Sequence, residues 1–200
     1  MNRKVLSLLF VLIIAALTCY TVTAAVSEFS ADFTSTDAKG KIATGKIFIK
    51  DTKIRQETTA EGQTAITILR MDKKVSWTLM PDAKQYMEMA LPFDPSHPSS
   101  DNATNAIEYD TTVIGNETIN GYDCEVIQYT YKNKKYGILV QWLAKKLNFP
   151  VKSQTKDSKG KVTSTMEYQN IKTGGIADSL FEIPDGYTKL GLSFKIPGMK

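Results

Sequence analysis

Short runs of alternating apolar and polar residues fill most of the chain from residue 28 onward. Phe29, Ala31 and Phe33 alternate with polar residues near the start, and Trp77 and Leu79 do so further along. Because successive side chains of a β-strand point to opposite faces, this period of two predicts half-buried strands. Pro, Asp, Gly and Lys bound the runs at the short spacing that is typical of hairpins. We therefore predict a mainly β protein.

The second half of the chain repeats this pattern. Asn120-Gly121 separates two runs and favours a tight hairpin turn, since both residues tolerate a positive φ. Helical patterning is limited to single turns at Leu143–Leu147 and Ala177–Phe181. Closely spaced strands without helices between them predict an antiparallel sheet that curls or closes. The strands predicted in this half are Tyr122–Tyr131, Tyr136–Leu143, Val151–Lys156 and Val162–Asn170.

Several predicted strands carry apolar residues on both faces, as in Cys124–Tyr131 and Tyr136–Leu143. An antiparallel sheet that is covered on one side only alternates between apolar and polar residues. The pattern therefore indicates either a second layer or an apolar cavity, and an ordinary core is the default interpretation.

One segment, Leu91–Ala106, interrupts the strand pattern. It contains three prolines among Ser, Asn and Asp residues. A long loop in a compact domain is usually functional or disordered. Its apolar start, at Leu91, Pro92 and Phe93, is a candidate lid over the sheet, and a surface loop is the alternative.

The N-terminal residues have the layout of a secretory signal peptide. Arg3 and Lys4 precede an apolar run at Val5–Leu17, and small residues follow near Ala24 and Ala25. We predict a signal peptide over residues 1–25 and a single domain over residues 26–200, exported to the periplasm. The run is shorter than the about 20 residues of a membrane span. No second such run follows, so we expect no transmembrane span after cleavage.

Cleavage of this leader has two alternatives, a lipid anchor and an uncleaved N-terminal anchor. Cys19 follows Ala16-Leu17-Thr18, which loosely resembles the lipobox of bacterial lipoproteins, so a lipid anchor at Cys19 is the alternative to cleavage. The second alternative is that the apolar run stays uncleaved and anchors the protein in the membrane. After cleavage only Cys124 remains, and one cysteine cannot form an intramolecular disulfide. The stability of the domain must then come from a packed core.

Charge and chemistry exclude several classes of function. The formal net charge is +4, and loss of Arg3 and Lys4 leaves +2 spread along the chain. Nucleic-acid binding usually needs a concentrated basic face, so we expect none. His97 is the single histidine, and Cys124 has no neighbouring base or second metal ligand. We therefore expect no catalysis, metal or cofactor, although a mechanism built on carboxylates alone is not excluded.

Several stretches, taken in order, resemble periplasmic lipoprotein carriers of the LolA type, within an uncharacterised subgroup of that superfamily. The resemblance spans most of the predicted mature chain, and the order of the motifs makes it more specific than any one of them. The motifs are Phe29–Thr34, Gly45–Lys50, Ile68–Trp77, Met80-Pro81 with Gln85-Tyr86, and Asp178–Tyr187, which is similar to the carriers' closing Phe-x-x-x-Pro-x-Gly element.

The resemblance implies an open, curved antiparallel half-barrel whose concave apolar face is covered by a few short helices or loops. Members of the superfamily hold acyl chains or other apolar ligands there, or act as sensors of mislocalised lipoproteins. The chain departs from the carriers at Asp51-Thr52, where they have Arg-Pro. It also shows little sign of the helices that cover their cavity.

Two functions are therefore considered. The first is an envelope carrier or binding protein for lipid or lipoprotein acyl chains. The second is an envelope interaction or sensor domain that has a filled cavity and binds a partner protein through a sheet edge. The first requires an apolar cavity, and the candidate lining residues are Trp77, Met87, Tyr129, Ile138, Val140 and Trp142.

The leader generates a direct prediction. When the full-length protein is exported from a bacterial cell, signal peptidase should cut after Ala24 or Ala25, because small residues precede those bonds. N-terminal sequencing of the purified protein measures the site. A blocked N-terminus at a diacylated Cys19 would contradict this prediction.

Overall fold

The computed structural model describes residues 28–91 and 108–191. In these two ranges the chain forms twelve β-strands and four short 3-10 helices, and no α-helix. The strands are β1 (Glu28–Asp37), β2 (Ile42–Lys50), β3 (Lys53–Ala60), β4 (Gln63–Arg70), β5 (Val75–Met80), β6 (Gln85–Ala90), β7 (Tyr109–Ile119), β8 (Tyr122–Tyr131), β9 (Ile138–Ala144), β10 (Phe149–Lys156), β11 (Val162–Thr173) and β12 (Thr188–Lys189).

All twelve strands belong to one sheet in the order β12-β6-β5-β4-β3-β2-β1-β11-β10-β9-β8-β7. Every neighbouring pair is antiparallel except β12 and β6, which run parallel. The sheet is curved and stays open. The predicted fold class, a mainly β protein with a curved antiparallel sheet, is therefore confirmed.

The predicted turns form where the sequence placed them. Asn120 and Gly121 join β7 to β8 and both have positive φ, at 50° and 81°. Asp178–Phe181 forms a 3-10 helix within the predicted turn at Ala177–Phe181. After β9, the Leu147 N–H donates to the Ala144 carbonyl at 3.1 Å, which closes the other predicted turn.

One face of the sheet carries the largest apolar cluster. Phe29 on β1 and Phe149 on β10 contact edge-on with ring centroids 4.8 Å apart, although β11 lies between their strands. Side chains converge on the concave side of a curved sheet, so we infer that this is its inner face. The buried members are Phe29, Ala31, Phe33, Ile47, Ile49, Ile54, Leu69, Ile119, Cys124, Val126, Val140, Trp142, Ala144, Leu147, Phe149, Val151, Met166 and Tyr168.

The opposite, outer face of β4 and β5 is covered by residues 176–187, which we call the strap. Phe181 of the strap is fully buried. It packs in a second cluster with Ile68, Trp77 and Leu79, which lie side by side on β4 and β5. The 3-10 helix of the strap thus covers the outer face, whereas the resemblance placed the short helices over the concave one.

Cations on β2, β3 and β4, together with Lys73 in the 3-10 helix Met71–Lys73, contact the strap at both ends of its own 3-10 helix. Asp178 contacts Lys53 at 2.5 Å and Lys50 at 3.2 Å. Glu182 pairs with the buried guanidinium of Arg70 and, at 3.1 Å, with Lys73. These contacts stabilise the charged form of both carboxylates.

The pKa values of the strap carboxylates follow from these contacts. Hydrogen bonds from Lys53 and Lys50 lower the pKa of Asp178. Partial burial opposes ionisation of Glu182, but the hydrogen bonds from Arg70 and Lys73 leave its pKa below the ordinary value. A carboxylate whose pKa is lowered on folding stabilises the folded state above its unfolded pKa, and this stabilisation is lost as the pH falls through the folded pKa.

This predicts an acid-sensitive strap. Glu182→Gln should lower the Tm by roughly 2–4 °C at pH 7. The difference from the wild type should shrink as the pH falls below the unfolded pKa of about 4.3, because the stabilisation by Glu182 is lost as the pH falls through its lower, folded pKa. Thermal melts followed by circular dichroism measure both values. Asp110→Asn, which breaks an exposed pair with Lys132 on another part of the sheet, is the matched control. An equal loss of Tm at pH 3 and pH 7 would contradict the prediction.

Candidate ligand-binding face

The inner face is built from cross-strand rows that run from β1 to β6. In each row, residues of neighbouring strands lie directly opposite one another, so their side chains share a face. The first row is Phe29, Ile49, Ile54, Leu69, Ser76 and Met89; the second is Ala31, Ile47, Gln56, Thr67, Thr78 and Met87; and the third, which stops at β4, is Phe33, Gly45, Thr58 and Ala65.

Side-chain chemistry changes along these rows. The β1 end is aromatic and aliphatic, and it joins the rings of β10 and β11. The ring centroids of Phe149 and Tyr168 are 5.0 Å apart, and those of Tyr168 and Phe33 are 6.1 Å apart; both pairs contact edge-on. From β3 to β5 the rows carry hydroxyl and amide groups, and the first two rows end at methionines on β6. The buried polar members of this end are Gln56, Thr58, Ser76 and Thr78.

The buried polar groups of the inner face are satisfied. Gln56 Nε2 donates to Thr58 Oγ1 at 3.4 Å. Among the residues that the structure describes, no buried side-chain nitrogen or oxygen lacks a hydrogen-bond partner. The inner face therefore combines a dry apolar half with a hydrogen-bonded polar half.

Trp142 lies on the part of the inner face that β9 contributes. Its indole N–H donates to Glu117 Oε2 at 2.6 Å. Lys152 lies on the neighbouring strand β10, and its Nζ is 5.0 Å from the centroid of the Trp142 ring. Trp142 thus has its ring in the apolar cluster and its polar edge at a charged group near the end of the sheet.

The structure brings together some of the predicted lining residues and separates others. Ile138, Val140 and Trp142 share one face of β9, and all three pack in the inner-face cluster. Met87 lies on the inner face of β6, opposite Thr78.

Trp77 and Tyr129 occupy other surroundings. Trp77 pairs with Glu88, one position from Met87, and therefore faces outward beneath the strap. Its indole N–H donates to Glu88 Oε2 at 3.0 Å. Tyr129 pairs with Leu139, one position from Val140, and packs in a separate cluster with Leu139 and Ile127. Because side chains alternate between the two faces along a strand, Trp77 and Tyr129 lie on the face opposite the other four candidate lining residues.

The candidate lid is described only at its first residue. Leu91 is partly buried against the inner-face cluster, and its N–H donates to the Lys74 carbonyl at 2.9 Å. Pro92 and Phe93 lie outside the described residues.

Sequence reasoning missed the two buried arginines that contact the strap. Arg55 Nη1 donates to the Leu180 carbonyl at 2.9 Å, and Arg70 Nη1 donates to the Phe181 carbonyl at 3.2 Å. Arg70 follows Ile66 and Ile68 on one face of β4, and a charge on an otherwise apolar face was the available signal. Arg55 shares its face of β3 with Lys53 and Glu57, so no such signal was present there.

Within residues 28–91 and 108–191, no three Asp, Glu, His or Cys side chains come together as a metal site would require. The same residues contain no helix that is long and apolar enough to span a membrane.

Comparison with known proteins identifies the family and supports the fold. The model of a family described as "Domain of unknown function (DUF4412)" matches residues 31–148. No curated protein matches the chain. An uncharacterized conserved protein from Thermus thermophilus has a similar structure, with a TM-score of 0.63 and 12% identity over 82% of this chain and 90% of that chain.

A chain of the MucA/MucB complex of Pseudomonas aeruginosa is also similar, with a TM-score of 0.55 and 16% identity over 78% of this chain. The match covers 55% of the length of that chain. Proteins of the LolA superfamily, which the sequence resembles, are also among the matched structures. A LolA superfamily protein from Nitrosomonas europaea is among the matched structures, with a TM-score of 0.36 and 12% identity over 78% of this chain and 90% of that chain. At these identities the likenesses concern the fold.

The inner face generates a prediction for Cys124, which is 1% exposed beside Ala144. Burial raises the pKa of its thiol, which stays protonated at neutral pH. A thiol reagent should label the native protein at least tenfold more slowly than the protein in denaturant. Cys124→Ala should lower the free energy of unfolding by about 1–2 kcal/mol, because it removes buried contacts. Equal labelling rates in the two states would contradict this placement.

Proposed function

Because the chain belongs to the DUF4412 family, whose description assigns no activity, we propose a function from the inner face of the sheet. The protein is an exported envelope protein that binds a single-chain amphiphile, such as a fatty acid, a lysolipid or a lipoprotein acyl chain. The apolar tail lies along the β1 end of the rows, and the polar end lies toward β5.

One observation carries this proposal, namely the graded chemistry of the inner face. An acyl chain gains about 0.8 kcal/mol for each methylene that it buries, so an aromatic and aliphatic wall favours it. A head group that leaves water needs hydrogen-bond partners, and the hydroxyl and amide groups at Gln56, Thr67 and Thr78 can supply them. Apolar pockets with a few placed polar groups are typical ligand sites.

The predicted leader and the related folds support an envelope location. The leader has the layout of a signal peptide. The similar folds include a LolA superfamily protein. Transport of the ligand between membranes would be a further step, and it needs a release mechanism in addition to the binding site.

The proposed role is binding, without catalysis. The single histidine, His97, lies outside the described residues. The Cys124 thiol is buried and protonated, which disfavours nucleophilic chemistry.

A protein partner is the second candidate function, and the edge strand β7 favours it. This strand ends the sheet, and Val113 and Ile114 are 56% and 51% exposed. An exposed apolar edge can pair with an extended segment of another chain. In this case the inner face would be a filled core.

A displacement assay tests the amphiphile. The mature protein should bind a hydrophobic fluorescent probe, and a lysophospholipid should displace it with a stoichiometry near one. Ile138→Asn places an amide on the inner side of β9 and should weaken probe binding by about tenfold, which corresponds to roughly 1.4 kcal/mol.

Leu143→Asn is the matched control, because Leu143 is also partly buried but packs in the cluster on the other face of β9. It should leave probe affinity within about twofold of the wild type, whatever its effect on the Tm. A folded wild-type protein that binds no displaceable probe would refute the amphiphile site and favour the protein partner. Equal losses of affinity in the two variants would also count against it.

A further inference from the structure

The strap contacts the sheet in the manner of a bound peptide. Three cationic side chains on strands donate to its backbone: Lys50 to the Ile176 carbonyl at 2.9 Å, Arg55 to Leu180 and Arg70 to Phe181. Arg55 and Arg70 are themselves buried, at 8% and 6% exposure. Donors that bind main-chain carbonyls recognise the backbone of a segment, here at the end of its 3-10 helix, largely independently of its side chains.

Phe181 is the most deeply buried side chain of the strap, and Ile176 and Tyr187 pack in the same cluster. The Phe181 ring is fully buried among apolar residues of β4 and β5. Lys53 Nζ lies 5.6 Å from the ring centroid, within the range of a cation–π contact. Buried aromatic anchors of this kind dominate the energy of peptide recognition.

Charge complementarity sets the spacing of the recognised segment. Lys50 and Lys53 contact Asp178, while Arg70 and Lys73 contact Glu182, four residues further along. The groove therefore fits an aromatic residue that has carboxylates three positions before it and one position after it.

The strap joins the sheet through flexible and short connections. Gly174 and Gly175 precede it, both at positive φ, and a Cβ at either position would meet no atom within 4 Å. After the strap, β12 adds only two residues in parallel to β6. The bonds to Arg55, Arg70 and Lys73 each cross more than 100 positions of sequence, and Glu28 on β1 accepts from the Ile176 N–H, so long-range contacts place the strap.

We propose that the outer face of β3–β5 is a peptide-binding groove that the strap occupies in cis. When the strap swings out about Gly174–Gly175, the groove takes a segment of another protein that forms the same 3-10 turn and has the same chemistry, an aromatic residue flanked by carboxylates. This site is separate from the inner face, so it stands or falls independently of amphiphile binding.

Competition between cis and trans segments tests the groove. The probe is a fluorescein-labelled peptide with the sequence of residues 175–189, and the full mature chain is the receptor. The covalently attached strap competes at an effective concentration in the millimolar range, so the wild type should bind the peptide weakly. Phe181→Ala in the protein weakens the cis segment and should raise the affinity for the peptide at least tenfold, as measured by fluorescence anisotropy.

Two controls define the mechanism. A peptide with both carboxylates reversed, Asp178→Lys and Glu182→Lys, should lose binding to the Phe181→Ala protein. Hydrogen exchange should show fast-exchanging strap amides in that protein and protected amides in β1, β2 and β11. The double variant Asp178→Asn with Glu182→Gln releases the strap by a second route and should also gain peptide affinity.

Two results would overturn the proposal. One is an open strap, shown by hydrogen exchange, without any gain in peptide affinity. The other is global unfolding of both strap variants, because the strap would then be part of the cooperative core and not a replaceable ligand.

Discussion

Within residues 28–91 and 108–191, a single sheet buries apolar side chains on both faces without a second sheet or an α-helix, and the rest of the structure depends on this constraint. Curvature solves the problem for the inner face, because side chains from strands that are not neighbours meet there. Gly45 on β2 marks the tight bend: a Cβ at this position would lie 1.8 Å from the Glu57 carbonyl oxygen and 2.7 Å from the Phe33 ring. A glycine in a strand permits such close approach of backbones. The sheet can therefore curl around Phe33.

The two faces serve different purposes once the sheet is curled. The inner face has a chemical gradient from aromatic to hydroxyl groups, which suits a ligand with two unlike ends. The outer face of β4 and β5 is as apolar as the inner one, but the chain covers it with its own strap. This division explains why strands such as β4 have buried residues on both sides, Ile68 facing outward and Leu69 inward.

Local alternation predicted the strands, the Asn120-Gly121 turn and the fold class, because these depend on neighbours in sequence. The six candidate lining residues lie on both faces of the sheet, and the local pattern could not show this because face assignment needs the register across the sheet. Trp77 and Met87 lie on opposite faces for this reason. Bulges add to the difficulty, since the shift between Pro150 and Lys152 changes parity within β10. The ion pair between Arg70 and Glu182, which holds the strap, could not be predicted because the two residues are 112 positions apart in sequence.

The central claim is that the inner face holds an amphiphile. Native mass spectrometry of the protein, purified without detergent from the envelope of the cells that export it, tests this most directly. The account predicts a mass above that of the mature chain by one fatty acid, lysolipid or acylated peptide, and release of this mass on collisional activation. A protein of bare mature mass that also gains nothing on incubation with lysolipid would contradict it.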